Sequence, residues 1–252
     1  MPSIFTTFEL YDHPGHEYGL RLLNPLTSDV LCSVFAAYGY KTGVTLSGSP
    51  LELNCAAKLV YRRYGVVVHQ ALETRSPYQA SQQNYQLETF APKLYGWSNK
   101  PGIDTRFYIM DYLCPPSWNS EGWLTLTALG LDRAAMNLAP ICRVLREIVD
   151  CLIELKFVHG DLRPNNLMIK MKNSMVIVEP VQIKVVGFNW AGEVGSARYP
   201  YNLNEDLGYP GKAGELIEWD HDLFMIEKWQ KSVEAHKSRN NGGSKCGIQH
   251  LF

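Results

Sequence analysis

The sequence predicts an α+β fold with a β-rich N-terminal part and a small, mainly helical C-terminal part. Two observations indicate this organisation. Apolar runs of strand length recur before residue 113, and the last of them stops at the pair Pro115-Pro116. After that pair the apolar residues recur at three- and four-residue spacing, which is typical of an amphipathic helix. The proline pair is therefore the expected boundary between two structural units.

The N-terminal unit is predicted over residues 21–113. Residues 1–20 have no clear hydrophobic period, so we expect an irregular arm there. Four apolar runs then predict strands: 29–37, 51–60, 91–97 and 106–113. The segment before the second run ends in 47–50 (Ser-Gly-Ser-Pro), which favours a turn and hence a strand meander. Residues 61–73 have a helical pattern, and the polar stretch 74–88 is expected to be a surface loop.

The C-terminal unit is predicted over residues 114–236. Its clearest element is a helix that Pro140 can begin. One face of this helix carries the regularly spaced apolar residues Ile141, Val144, Leu145, Ile148, Leu152 and Leu155. Two strand-like runs and one more apolar helical segment follow: 167–169, 183–186, and 223–226 with Trp229. Residues 237–252 are expected to form a disordered tail.

Composition and charge exclude several classes of partner. Hydrophobic residues make up 46% of the chain and charged residues 19%, which predicts a folded globular protein. A net charge of -1 provides no broad attraction to nucleic acid or to a membrane surface, so neither is expected as a partner. No apolar run approaches the length of a membrane span. Six cysteines without a CxxC pair, and a start without a basic and apolar leader, predict reduced thiols in the cytoplasm or nucleus.

One short segment carries the residues of a chemical site, His159-Gly160-Asp161-Leu162-Arg163-Pro164-Asn165-Asn166. It lies between the predicted long helix and a short strand, with the H-x-D-x-x-x-x-N spacing of a phosphoryl-transfer catalytic loop. That reaction needs a carboxylate to orient the attacking hydroxyl and accept its proton, a cation near the phosphoryl group, and an oxygen ligand for Mg²⁺. Asp161, Arg163 and Asn166 can supply these in that order. The alternative is a polar turn in which His159 and Asp161 only satisfy backbone groups.

Residues 158–169 resemble the kinase-like proteins that are numerous in mushroom-forming fungi. The resemblance extends to 187–192, 197–200 and His221-Asp222, and it covers about residues 25–230. It implies a two-lobed protein-kinase-like fold, ATP and Mg²⁺ as cofactors, and phosphotransfer similar to that of Ser/Thr protein kinases. Gly160, where these proteins usually have Arg, also resembles small-molecule kinases such as choline and aminoglycoside phosphotransferases. A protein substrate is therefore not required.

The resemblance also implies a nucleotide-binding role for two residues of one strand. Lys58 resembles the ion-pairing lysine that holds the nucleotide phosphates, and Ala56 resembles the small residue above the adenine ring. The alternative for Lys58 is an ordinary solvated lysine. The carboxylate partner of this lysine is expected on the following helix, where Gln70 and Glu73 compete and only Glu73 is charged.

Further roles concern the adenine site and the support of the loop. Residues Asp111 to Leu113 resemble the hinge whose backbone binds adenine, with Met110 at its gate and Met168 as the apolar floor. The alternative for these side chains is ordinary core and linker. Asp222 resembles the buried aspartate that braces the catalytic loop, and a helix cap is the other interpretation.

The chain departs from the family pattern at the expected metal and phosphate sites. Gly187 stands where the family has the aspartate that coordinates Mg²⁺, which leaves Asn166 as the expected metal ligand. Asn189 stands where many relatives have a second aspartate, and it offers an oxygen without a charge. A phosphate loop of the form G-x-G-x-x-G is also absent from the sequence. Two hypotheses follow: an ATP-binding phosphotransferase of impaired activity, or a pseudokinase that serves as a protein-binding or scaffold module.

Overall fold

The computed structural model describes residues 5–10, 13–28, 32–41, 53–61, 63–76, 89–98, 105–117, 120–173, 175–177 and 181–242. Its architecture is α+β: a curled antiparallel sheet comes first, and a region of helices and short strands follows. The α+β prediction is therefore confirmed. The predicted turn at 47–50 and most of the predicted loop at 74–88 lie outside the described residues.

Six strands form the curled sheet: β1 (Phe5–Leu10), β2 (His13–Ser28), β3 (Cys32–Lys41), β4 (Leu53–Tyr61), β5 (Leu94–Trp97) and β6 (Thr105–Asp111). Their order is β1-β2-β3-β4-β6-β5, and β5 also pairs with β1. Successive side chains of β4 face opposite sides of the sheet. Cys55 and Ala57 belong to the cluster that the sheet encloses, whereas Ala56 and Val60 pack on the outer face. Lys58 lies between the last two in sequence and shares the outer face.

The first 20 residues differ from the prediction. Residues 5–10 and 13–20 were expected to belong to an irregular arm, but they form β1 and the first part of β2. The two strands pair with each other, from Phe5 opposite Arg21 to Leu10 opposite His13. Ladder hydrogen bonds satisfy the backbone whatever the side chains are, so a strand of this kind needs no hydrophobic period.

The predicted helix over residues 61–73 begins later than expected. Strand β4 runs as far as Tyr61, and α1 spans Val66–Glu73. Its inner side carries Val68, His69 and Leu72, all of them buried. The prediction is confirmed for Val66–Glu73 and is wrong before it, because Tyr61 still belongs to β4 and residues 63–65 belong to neither element.

Among the described residues, the second region has four α-helices: α2 (Leu126–Leu129), α3 (Leu131–Met136), α4 (Leu138–Glu154) and α5 (His221–Gly242). The predicted helix face is confirmed in α4, where the inner residues Ile141, Leu145 and Ile148 are fully buried. The prediction of a disordered tail from residue 237 is wrong for 237–242, which continue α5. None of the described helices is both long and apolar enough to cross a membrane.

Short strands complete the second region: β7 (Glu121–Thr125), β8 (Phe157–Val158), β9 (Leu167–Lys172), β10 (Met175–Val176), β11 (Ile183–Val185) and β12 (Gly192–Glu193). Strand β9 pairs with β7, β10 and β11, and β8 pairs with β12. The strands predicted at 167–169 and 183–186 are confirmed. Strand β7 was not predicted, because Gly122 interrupts its apolar pattern.

Backbone hydrogen bonds connect the curled sheet and α1 to the second region. Gly65 N donates to Phe188 O (2.7 Å), and Val185 N donates to Phe90 O (2.7 Å). The buried Lys184 ammonium donates to the carbonyl oxygens of Thr89 (3.2 Å) and Ala91 (3.3 Å). The segment 184–188 therefore fixes the region that carries the H-x-D-x-x-x-x-N loop against α1.

Candidate functional site

The loop at 159–166 is held in place by Asp222, in the first turn of α5. Its Oδ2 accepts the N–H of His159 (2.6 Å) and its Oδ1 accepts the N–H of Gly160 (2.9 Å). Asp222 is 2% exposed, and burial raises its pKa to about 6 although the two backbone donors oppose that shift. The prediction that Asp222 braces this loop is confirmed.

Gly160 meets a backbone requirement of the same loop. Its φ is +78°, and a Cβ at this position would lie 2.5 Å from Ile217 Cδ1. Any side chain would therefore meet both backbone strain and a buried neighbour. The backbone and Ile217 therefore favour glycine at position 160.

His159 is fully buried, and its hydrogen bonds fix its tautomer. Nε2 lies 3.1 Å from Val186 O, which can only accept, so Nε2 carries the proton. Nδ1 accepts the N–H of Asp161 (3.3 Å) and must carry a lone pair. Burial lowers the pKa of His159 to about 3, so the ring is neutral near pH 7. The ring therefore supports the loop and transfers no proton.

The Asp161 carboxylate has a donor or cation at each oxygen. Oδ2 accepts from Asn166 Nδ2 (2.7 Å), and Oδ1 accepts from the Tyr209 hydroxyl (2.5 Å). Arg163 Nε lies 2.9 Å from Oδ1, which is an ion pair by distance although the N–H does not point along that line. Burial raises the pKa of Asp161, while Arg163, Tyr209, Asn166 and Lys58 lower it and only partly offset the burial. A buried carboxylate of raised pKa is suited to accepting a proton.

Lys58 is 8% exposed and shares the outer face of β4 with Ala56 and Val60. Its charge is the smallest of the influences that lower the pKa of Asp161, and it also lowers the pKa values of His159 and His69. It also lies 5.7 Å from the centre of the Tyr64 ring. The Tyr64 ring packs against Phe188 (centroids 6.0 Å apart), and Phe188 packs against His159 of the loop (5.1 Å), so a series of ring contacts connects the residues around Lys58 with the loop.

The structure gives the two candidate partners of Lys58 on α1 different surroundings. Glu73 Oε2 accepts the backbone N–H of Leu94 (2.9 Å), at the start of β5, and Gln70 is half-buried. The inner position of α1 belongs instead to His69, whose ring stacks on Phe188 at 4.4 Å. Sequence analysis missed His69, although its position next to the apolar residues Val68 and Leu72 was an available signal.

Two residues of the predicted adenine site share the outer face of the sheet with Lys58. Ala56 and Met110 are direct partners across β4 and β6, and both are buried in the same cluster. The Asp111 carboxylate accepts the N–H of Lys93 (2.9 Å) and the hydroxyl of Tyr95 (2.6 Å), so this side chain connects the end of β6 to the start of β5.

The remaining two adenine-site residues are half-buried. Leu113 lies in the segment that follows β6, and Met168 lies on the face of β9 opposite the core residues Leu167 and Ile169. A surface depression of about 330 Å³ between α3 and α5 contains none of the predicted site residues.

Asn166 fills the space that Gly187 leaves open. The Asn166 amide nitrogen donates to Asp161 O (2.8 Å) and Oδ2, so its Oδ1 points toward Gly187. A Cβ at position 187 would lie 2.5 Å from that oxygen, and φ there is +89°. An aspartate at 187 could therefore be accommodated only if the Asn166 side chain moved away from Asp161.

Mg²⁺ does not fit this arrangement as a resident ion. Within the described residues no group of three or more His, Cys, Asp or Glu side chains is arranged to hold a metal. The oxygens that remain are neutral amides, including Asn189 Oδ1, which is buried and has no hydrogen-bond partner among the described residues. Two neutral oxygens are a weak ligand set for a hard divalent cation. The hydrogen bonds to Asp161 use the amide nitrogen of Asn166 and not its oxygen, so the metal role of Asn166 stays a prediction.

We expect Gly187→Ala to lower the free energy of unfolding by about 2 kcal/mol, through positive-φ strain and the contact with Asn166. Urea unfolding at neutral pH measures this change. Gly195→Ala is the matched control, since φ is +80° there and nothing lies within 4 Å of an added Cβ. Equal costs at the two positions would show that Asn166 does not resist a side chain at 187.

No family model matches this chain, and no curated protein is similar enough to match it. The interpretation of the site therefore depends on its geometry and its chemistry.

Proposed function

We propose that this protein has a two-lobed kinase-like fold that binds ATP between the outer face of β4 and the loop at 159–166, with impaired phosphotransfer activity. One observation carries the proposal: Lys58 lies against the Tyr64 ring, which packs on Phe188, and Phe188 packs on His159 of the loop that carries Asp161. Asp161 itself lies in a loop of H-x-D-x-x-x-x-N spacing, and the Asp222 carboxylate holds the backbone of that loop through two hydrogen bonds. A buried cation and a buried carboxylate from distant parts of the chain are the pair that phosphoryl transfer requires.

Each of these residues has a defined role in the proposal. Lys58 and Arg163 supply positive charge to the phosphates, and Asp161 accepts the proton of the attacking hydroxyl. Ala56 and Met110 offer an apolar surface to the adenine ring, on the face that carries Lys58. His159 and Asp222 position the loop and exchange no proton with substrate.

A second function, a pseudokinase that serves as a protein-binding or scaffold module, is favoured by a different observation. The Asn166 amide occupies the space in front of Gly187 and bonds to Asp161, so the place of a metal-binding carboxylate is taken by a neutral group. A divalent ion is normally the largest local charge in a phosphoryl-transfer site. Without such an ion, a site retains nucleotide binding more readily than phosphoryl transfer.

The test of nucleotide binding is a melting shift with ATP, in EDTA and in Mg²⁺, for the parent and for Lys58→Met. We expect ATP at a hundredfold excess over its dissociation constant to stabilise the parent by about 2.7 kcal/mol. Lys58→Met should lose most of that shift, because no ammonium is left to bind the phosphates; each shift is measured from the melting temperature of the same variant without nucleotide. Lys231→Met, on the exposed side of α5, is the control that should keep the shift.

Three results distinguish the hypotheses. Transfer of labelled phosphate by the parent that Asp161→Asn abolishes would establish an active phosphotransferase. ATP binding without transfer would establish the pseudokinase. No melting shift with ATP, ADP or GTP would remove the nucleotide site altogether.

A further inference from the structure

A tyrosine of the chain itself covers the Asp161 carboxylate. The hydroxyl of Tyr209 donates to Asp161 Oδ1 at 2.5 Å, across 48 residues of sequence. Burial and the neighbouring carboxylate both raise the pKa of Tyr209, so its hydroxyl keeps its proton and acts as the donor. Its ring packs against Trp190 (centroids 5.3 Å apart) and Tyr199 (5.7 Å), which fixes the direction of the hydroxyl.

The segment that carries Tyr209 is closed at its base. Ile217 N donates to Ala197 O (2.9 Å), and Tyr199 N donates to Glu215 O (3.0 Å). These bonds bring the two ends of the segment 200–213 together. The segment is therefore a defined loop and not an open connection.

The tip of the same loop is tied to α5. The ammonium group of Lys228 donates to Leu207 O (2.7 Å) and Gly208 O (3.1 Å). Gly208, with φ of +58°, directly precedes Tyr209. The anchor therefore acts on the residues next to the tyrosine and holds its ring at the site.

We propose that Tyr209 occupies the position of the acceptor hydroxyl, so that the loop 200–213 blocks the access of an external acceptor to the Asp161 carboxylate. The inference rests on the proposed function, in which the acceptor hydroxyl donates to Asp161 before its proton is transferred. Tyr209 makes that same contact, hydroxyl to carboxylate oxygen. The other oxygen of Asp161 accepts from Asn166, and Asp161 is only 7% exposed with Tyr209 in place, so an external acceptor reaches the carboxylate when Tyr209 has moved away.

The test is the chemical accessibility of the Asp161 carboxylate, measured without nucleotide. The folded protein is treated at pH 6 with a water-soluble carbodiimide and glycine ethyl ester, and labelling is quantified by peptide mass spectrometry. In Tyr209→Ala we expect Asp161 labelling to rise about tenfold, because the cover is gone and the carboxyl pKa increases with the loss of a donor. Tyr209→Phe, which keeps the ring, should give a smaller rise.

Two controls define the result. Tyr201→Ala removes a 91% exposed tyrosine from the same loop and should leave Asp161 labelling unchanged. Asp222 should stay unlabelled in every variant, which verifies that the fold is intact. If Tyr209→Ala does not fold, Tyr209→Phe decides the matter, since it removes only the hydroxyl.

The outcome for Tyr209 is separable from that for nucleotide binding. Equal Asp161 labelling in the parent and in the folded Tyr209 variants would overturn the proposal, even if ATP gives a normal melting shift. A rise in labelling without any ATP shift would overturn the proposed function and leave Tyr209 as the cover of the carboxylate.

Discussion

Replacing Asp222 by alanine is expected to lower the free energy of unfolding by about 3 kcal/mol, because two buried backbone N–H groups lose their acceptor. Those groups belong to His159 and Gly160, both of which are buried. Removing the buried charge returns part of the cost, since burial disfavours the ionised carboxyl. Urea unfolding at pH 7 measures the difference.

Asp150→Ala is the matched control, on the exposed side of α4. It should change the unfolding free energy by no more than about 0.5 kcal/mol. A cost at Asp222 as small as that at Asp150 would contradict the bracing role and leave Asp222 as a simple helix-terminal residue.

The carboxamide variant Asp222→Asn adds a pH dependence with a definite sign. The pKa of Asp222 is raised to about 6 in the folded state, from an ordinary value of 3.8. The folded state therefore binds the proton more tightly, and this carboxyl contributes most below pH 4 and loses that contribution as the pH rises through 6. The stability advantage of the parent over Asp222→Asn should thus grow by about 1 kcal/mol between pH 7.5 and pH 5.

The loop and its brace were predictable because each has a strong local signal. The H-x-D-x-x-x-x-N spacing and the apolar period of α4 fix the positions of Asp161 and Asn166 relative to the helix. The nucleotide-binding role of Lys58 was predicted only through the family resemblance. A lysine in a strand-like run has no sequence feature of its own that distinguishes a binding residue from a solvated one.

Tyr209 and the early strands were not predictable for a different reason. Tyr209 lies in a long irregular segment without a hydrophobic period, and only tertiary hydrogen bonds to residues far away in sequence bring it to Asp161. Strands β1 and β2 likewise gain their stability from pairing, which composition does not encode. The orientation of the Asn166 amide was not predictable either, because the absence of a Cβ at Gly187 leaves the space that this amide fills.

Lowering the pH is expected to remove most of the stability that His69 contributes, through a single buried ring on α1. Its Nε2 lies 2.7 Å from Pro92 O, which only accepts, and Nδ1 lies 2.7 Å from the Tyr64 hydroxyl. The ring is therefore neutral, with its proton on Nε2 and Tyr64 as donor to Nδ1. Burial lowers its pKa to about 4, and the charges of Lys58 and Lys184 act in the same direction.

His69→Gln isolates this contribution, because a carboxamide can donate to Pro92 O and accept from Tyr64 without titrating. The unfolded chain takes up the proton from about pH 6.5 downward, whereas the folded protein resists it until about pH 4. The contribution is thus complete above pH 6.5 and is lost as the pH falls. The advantage of the parent over His69→Gln should shrink by about 2 kcal/mol between pH 7.5 and pH 5, as measured by urea unfolding.

The two variants serve as controls for each other, since their stability gaps move in opposite directions over the same pH range. The gap to Asp222→Asn widens on acidification, and the gap to His69→Gln narrows. His159 stays in both variants and in the parent, so its own acid sensitivity cancels from each comparison. A His69→Gln gap that stays constant or widens toward pH 5 would mean that the ring is already protonated in the folded protein, which its burial and the nearby charges of Lys58 and Lys184 oppose.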